Sequence, residues 1–124
     1  MIAIDTSSLV AYLNGSIGDD VTLVEAALEH QHVVLPPVVL TELLSDPALP
    51  ADVRTLLSEL PLLEPDAGYW ERAGLLRATV LKLGRKARVA DALIAQSCAD
   101  HRVPLVTRDR DFRHFAAAVG LHLL

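Results

Sequence analysis

The sequence has 124 residues, 52% of them hydrophobic and 22% charged, enough apolar material to bury a core and too much for a disordered chain. Its apolar runs fall short of the roughly 20 residues a membrane span needs, and its one cysteine, Cys98, excludes both an internal disulfide framework and a thiolate metal cluster. The formal net charge of −5 argues at first against nucleic acid, whose phosphates select basic surfaces.

The opening Met1–Asp5 carries an acid where a secretory signal has basic charge and then an apolar run, so a cytoplasmic protein without membrane attachment is expected. Met1–Asp5 reads as a short buried strand that ends at the acid. Thr6, Ser7 or Ser8 caps the next helix, which turns Leu9, Val10 and Leu13 inward and stops at Asn14-Gly15. Asp19-Asp20 opens a second helix carrying Leu23, Ala27 and Leu28. His32–Leu35 is a buried strand closed by Pro36-Pro37, and a helix from about Pro37 to Ser45 follows, with Leu40, Leu43 and Leu44 inward. Ala51–Leu60 is a short helix bearing Val53, Leu56 and Leu57, and Leu62-Leu63 a further strand candidate. Ala73, Leu76, Val80 and Leu83 recur at helical steps after Tyr69, up to Gly84. Arg88–His101 is a helix with Ala90, Leu93, Ile94, Ser97 and Cys98 on one face. Val103–Val106 is a strand, Asp111–Val119 a helix and Leu121–Leu124 a last strand. Such alternation indicates an α/β fold around a mainly parallel sheet.

The charge is unevenly spread. Residues 1–53 hold eight acids and no Lys or Arg, whereas the rest holds all eleven basic residues against eight acids, a local balance of +3. Seven of the basic residues form two clusters, Lys82-Arg85-Lys86-Arg88 and Arg108-Arg110-Arg113, and each cluster lies next to an acid singled out below.

In open parallel sheets ligands bind beyond the carboxyl ends of the strands. Asp5 ends the first strand, Glu42 lies on the helix after the second, Asp91 is in the first turn of the Arg88 helix, and Asp109 follows Val103–Val106 by a short turn. Carboxylates gathered in one pocket raise one another's proton affinity unless a cation compensates them. Hard oxygen donors suit Mg²⁺ or Mn²⁺, which polarise a phosphodiester and position water. The five histidines form no metal-ligand motif, and Cys98 falls on an apolar helical face.

The segments Ile-Ala-Ile-Asp-Thr-Ser-Ser-Leu-Val-Ala-Tyr-Leu (2–13), Pro-Pro-Val-Val-Leu-Thr-Glu-Leu-Leu (36–44), Ala-Asp-Ala-Leu-Ile-Ala (90–95) and Leu-Val-Thr-Arg-Asp-Arg-Asp-Phe (105–112) resemble, in order and spacing, the PIN-domain nucleases. Within that family the sequence is similar to the VapC-like toxins of toxin–antitoxin pairs, and the resemblance covers essentially the whole chain. It implies one domain over 1–124, a three-layer α/β/α sandwich with a mainly parallel four- or five-stranded sheet, and metal-dependent cleavage of RNA. The family's four acids map onto Asp5, Glu42, Asp91 and Asp109. Asp5, Asp91 and Asp109 would hold Mg²⁺ or Mn²⁺, while Glu42 would complete the acidic shell or orient the water. The family's hydroxyls map onto Ser7, with Thr6 beside it, and onto Thr107. Asp111 belongs to the last motif as a neighbour, and its role and that of Asp109 are interchangeable among relatives. The resemblance further implies an antitoxin partner and a homodimer.

Arg85, Lys86, Arg88, Arg108 and Arg110 are candidates for the RNA backbone. An apolar groove is expected to take an antitoxin helix, with a basic side chain reaching the acids. Two phosphoryl-transfer chemistries are excluded. A phosphatase with an aspartate nucleophile needs a second Asp where Ser7 stands, and a receiver-like phospho-acceptor needs a lysine near the last strand, yet none follows Lys86. An aromatic content of 4% disfavours a base-stacking platform. The alternatives left open are a housekeeping RNA-processing nuclease and a non-catalytic regulatory module of the same fold.

Overall fold

The alternation of apolar runs and amphipathic stretches resolves, in a computed structural model describing residues 1–124, into three strands and seven helices. In chain order these are β1 (Ile2–Ile4), α1 (Thr6–Leu13), α2 (Asp19–Glu29), β2 (Val33–Val34), α3 (Pro37–Leu44), α4 (Ala51–Glu59), α5 (Tyr69–Lys82), α6 (Val89–His101), β3 (Leu105–Val106) and α7 (Phe112–Val119). The strand order is β2-β1-β3, all parallel, with Ile2 beside Val33, Ala3 beside Leu105 and Ile4 beside Val106. All three strands lie in the core, as a sheet covered by helices requires.

The predicted strands at Leu62-Leu63 and Leu121–Leu124 are each reduced to a single parallel bridge, Leu35 with Leu62 and Leu105 with Leu123. The four- or five-stranded sheet is thus three strands flanked by two one-bridge rows. At each edge a single residue takes two ladder bonds: Leu63 donates to Leu35 while Leu35 donates to Pro61, and Leu124 donates to Leu105 while Leu105 donates to His122.

The helices form where periodicity placed them, but several faces are rotated. The cap of α1 is Asp5, whose carboxylate accepts from the Ser8 N–H, and not one of the three hydroxyl residues. Those hydroxyls are engaged elsewhere: Thr6 on Glu42, Ser7 on Asp5 and Ser8 on Asp20. Ser8, Leu9 and Ala11 are the buried residues of α1, while Val10 is exposed. In the same way α2 buries Val24 rather than Leu23, α3 buries Val39 rather than Leu44, and Leu56 and Leu83 face solvent. Two-turn helices this rich in apolar residues carry apolar side chains on more than one face, so tertiary packing chooses among them.

The clean stripe expected on α6 is absent for a different reason. Ala92, Ile94, Ala95, Gln96, Ser97 and Cys98 are all buried because α3, α5 and α7 all pack on this helix. Its small residues let the neighbours approach from several sides. A single cluster of 24 buried residues runs from Ala3 to Leu121 and joins all the elements around the sheet.

Candidate active site

The chain leaves the central strand β1 toward β2 on one side and returns through β3 on the other. The carboxyl ends of β1 and β3 therefore border the crevice where open α/β sheets bind ligands. Register decides what meets there. With Ile4 beside Val106, the residues that follow, Asp5 and Thr107, sit side by side, and the Asp5 N–H still donates to the Val106 carbonyl at 3.1 Å.

Asp5 is only 3% exposed. Thr107 Oγ1 donates to its Oδ2 at 2.6 Å, the Ser8 N–H to its Oδ1 at 3.0 Å, and the single Ser7 hydroxyl lies 2.9 and 2.8 Å from the two oxygens. Burial nevertheless holds the Asp5 pKa above the ordinary carboxylate value; the Thr107, Ser8 and Ser7 hydrogen bonds oppose that rise, and the charge on Asp109 adds to it.

Thr107 links two of the acids. Its hydroxyl donates to Asp5 and accepts from the Asp109 N–H at 3.0 Å, and Asp109 Oδ1 in turn accepts from the Asp111 N–H at 2.9 Å. Asp109 is thus the acid tied to Asp5, while Asp111 stands at the start of α7. On the opposite flank, Thr6 donates to Glu42 Oε1 at 2.7 Å, bringing α3 to the N-terminus of α1. Asp91 lies in the first turn of α6, where the helix dipole favours a carboxylate. Its pKa is nonetheless pushed up to about 6, first by burial, then by Asp109, with Glu42 and Asp5 adding and Arg88 opposing. Asp91 thus feels each of the other three acids named from the sequence, and Asp5 feels Asp109.

The basic candidates divide. Arg85, Lys86 and Arg88 are exposed on the segment leading into α6, and the Arg77 Nε–H anchors that segment by donating to the Ala87 carbonyl at 2.8 Å. Arg110 and Arg113 are exposed and border a small depression of about 180 Å³ together with Thr107 and Asp109. Arg108 is differently placed: its Nε and Nη2 both bond Asp20, at 2.8 and 3.0 Å. That pairing is the first cause of an Asp20 pKa lowered to about 2.

The PIN-domain family model matches residues 2–118. The chain belongs to the PIN-domain family. Among solved structures, it is similar to a VapBC toxin–antitoxin member, VapBC-5 from Mycobacterium tuberculosis, with 23% identity and a TM-score of 0.67 over 99% of this chain and 96% of that one. It is also similar to FitAcB from Neisseria gonorrhoeae, with 20% identity and a TM-score of 0.66 over 100% of this chain and 96% of that one. A comparison with curated proteins finds no match.

PIN domains are nucleases and generally work with divalent metal ions. The donor set of this PIN domain fits such an ion in kind, being wholly carboxylate and hydroxyl oxygen, with burial and neighbouring acids raising the proton affinity of Asp5 and Asp91. The Ser7 hydroxyl, within 2.9 and 2.8 Å of the two Asp5 oxygens, turns the positive end of a dipole toward their charge. As placed, no three Asp, Glu, His or Cys side chains stand close enough together to hold a metal ion by themselves; Mg²⁺ commonly takes one or two carboxylates and keeps several waters. Sequence reasoning missed Asp20, Ser8 and Arg77 as residues that shape this site. Nothing local marks them, because each acts through a partner outside its own element.

Proposed function

We propose that this PIN domain, a single domain over 1–124, is a metal-dependent endoribonuclease and the toxin of a VapBC-type toxin–antitoxin pair. The observation that carries the reading is the buried Asp5 carboxylate at the carboxyl end of the central strand, sharing its field with Glu42, Asp91 and Asp109. Asp5, Asp91 and Asp109 are the residues that would hold Mg²⁺ or Mn²⁺. When bound, such an ion supplies neutralisation of phosphate charge and acidification of an attacking water.

The protein's own residues do the rest. Ser7 and Thr107 fix the orientation of the Asp5 carboxylate, and Thr107 also holds the Asp109 backbone. Glu42, steadied by Thr6, would complete the acidic shell or orient the water. Arg85, Lys86, Arg88 and Arg110 offer exposed cations around the acidic centre for the RNA backbone, which positions the strand without reading its sequence.

The partner surface is supported by a groove of about 330 Å³ beside the acids, in which Val10, Leu13, Leu43 and Leu49 form apolar walls and Thr6 and Glu42 one end. An amphipathic antitoxin helix fits such a groove, with a basic side chain reaching Glu42. A second apolar face, carrying Trp70, Leu81 and Val89 around a depression of about 470 Å³, supports homodimerisation.

The test is cleavage of cellular RNA by purified protein, with Mg²⁺ or Mn²⁺ and with chelator, followed by mapping of the cut ends. Metal-dependent cutting, growth arrest on induced expression, and suppression of both by the neighbouring gene product are the expected results. Cleavage without growth arrest or suppression indicates an RNA-processing nuclease. RNA binding without cleavage indicates a non-catalytic module.

A further inference from the structure

After β3 the chain runs through residues 107–111 without strand or helix before α7 begins. This segment carries Thr107 and Asp109, yet its own backbone bonds are short-range: Asp109 N–H to Thr107 Oγ1, Asp111 N–H to Asp109 Oδ1, and the Phe112, Arg113 and His114 N–H groups to the Asp109, Arg110 and Asp111 carbonyls at 3.3, 3.1 and 3.4 Å. Apart from the Thr107 hydroxyl on Asp5, these bonds are local, and a short half-exposed turn so held belongs to the easily opened part of a fold. It is tied down instead from outside.

Arg108 Nε donates to Asp20 Oδ2 at 2.8 Å and Arg108 Nη2 to Asp20 Oδ1 at 3.0 Å, a two-pronged fit of guanidinium to carboxylate. The same Nη2 donates to the Ile17 carbonyl at 3.3 Å. Asp20 is fixed in its turn, because the fully buried Ser8 donates its hydroxyl to Asp20 Oδ2 at 2.9 Å. The Ser8 N–H caps Asp5. A closed ring results: Asp5 to Ser8, Ser8 to Asp20, Asp20 to Arg108, and through the Arg108 backbone to Thr107, which returns to Asp5. The backbone makes room for this pair at Gly18. A Cβ there would lie 2.6 Å from Asp20 Oδ1 and 3.2 Å from Arg108 Nη2, and its φ of +153° is one that other residues rarely adopt.

We propose that Asp20 and Arg108 are a positioning pair that locks residues 107–111, and with them Asp109 and the Thr107 hydroxyl, into the working geometry of the acidic site. The proposal rests on the nuclease reading for its catalytic consequence, though not for the locking itself. It removes Arg108 from the RNA-contacting set, since two of its nitrogens are engaged within the protein. Ion pairs with a partly exposed member contribute little to stability, but a displacement of about 1 Å in a reacting group can cost a hundredfold in rate. The pair should therefore matter more to turnover than to folding.

The test uses the full chain with Asp20→Asn, Arg108→Gln and the double substitution, and adds Gly18→Ala to displace the pair without removing it. Amide hydrogen exchange is read at Asp109 and Asp111, with the sheet amide of Asp5 as internal reference. Expected are about tenfold faster exchange at Asp109 and Asp111 in every variant and an unchanged Asp5 amide. In RNA cleavage kcat should fall tenfold or more with KM within about twofold, and the double variant should be no worse than the worse single, as members of one unit behave. The salt dependence of RNA binding should stay as in wild type.

Unchanged exchange at Asp109 and Asp111 would overturn the proposal. So would equal acceleration at Asp5, which would make the pair a support of the whole fold. A third overturning result is a raised KM and a salt slope smaller by about one in Arg108→Gln, with Asp20→Asn like wild type, because Arg108 would then be a phosphate contact. Wild-type protein that cuts no RNA would defeat the nuclease reading, and the exchange measurements would then decide the locking by themselves.

Discussion

Asp91 is the one acid of the four whose neighbours oppose each other most openly. Burial, Asp109, Glu42 and Asp5 push its pKa up to about 6, while Arg88 pulls it down. In the metal-free protein the folded state therefore holds this proton more tightly than the unfolded chain, where the group titrates near 3.8. Its contribution to stability is fully present below about pH 4 and is lost as pH rises through about 6. Asp91→Asn removes that loss. The variant should be more stable than wild type at pH 7 by about 1 kcal/mol, less than the full shift because a half-buried group is screened by solvent, with the two proteins converging near pH 4. Denaturant titrations at pH 4 and 7 in chelator check the sign, and the variant should no longer cleave RNA. Asp5 is a poorer probe of repulsion, since its carboxylate also caps α1 and accepts from Thr107, so its loss mixes two effects.

At the level of elements, the sequence made the order of strands and helices legible, because short β-branched runs and 3.6-residue spacing are local signals. Asp5, Asp91 and Asp109 stand out for the same reason, at a strand end, a helix start and the turn after a strand, whereas Glu42, well inside α3, is marked only by the family resemblance. Which face of a two-turn helix turns inward was not legible. Val10 and Leu44 are as apolar as Leu9 and Leu43, and only packing distinguishes them. Also hidden was any residue whose task is set by a distant partner, such as Asp20, which meets Arg108 across 88 positions, or Arg77. The latter bonds the Ala87 carbonyl from α5 and so holds the segment bearing Arg85, Lys86 and Arg88. Arg77→Ala should loosen those cations without touching the acids. KM for RNA should rise about three- to tenfold, with kcat changed less than twofold, in steady-state cleavage assays. An equal fall in kcat would instead place the segment in the chemistry.

The whole molecule is divided in charge. The first 53 residues carry only acids, and every Lys and Arg follows. Folding brings Asp5 and Glu42 from the acidic part against Asp91 and Asp109 from the basic part, which leaves an acidic centre with cations around it. If the site takes a divalent ion as proposed, protons compete with it, because a proton on Asp91 removes a donor. Metal that binds only the folded state stabilises it by mass action, by about 2.7 kcal/mol at a concentration one hundred times Kd. With Asp91 titrating near 6, the apparent Kd must rise as pH falls below that value. At one fixed Mn²⁺ concentration, wild type should therefore gain several degrees of Tm at pH 7.5 and much less at pH 5, while Asp91→Asn should gain little at either. Thermal melts with Mn²⁺ and with chelator at the two pH values read this directly. A shift equal at both pH values, or equal in both proteins, would move the ion away from Asp91.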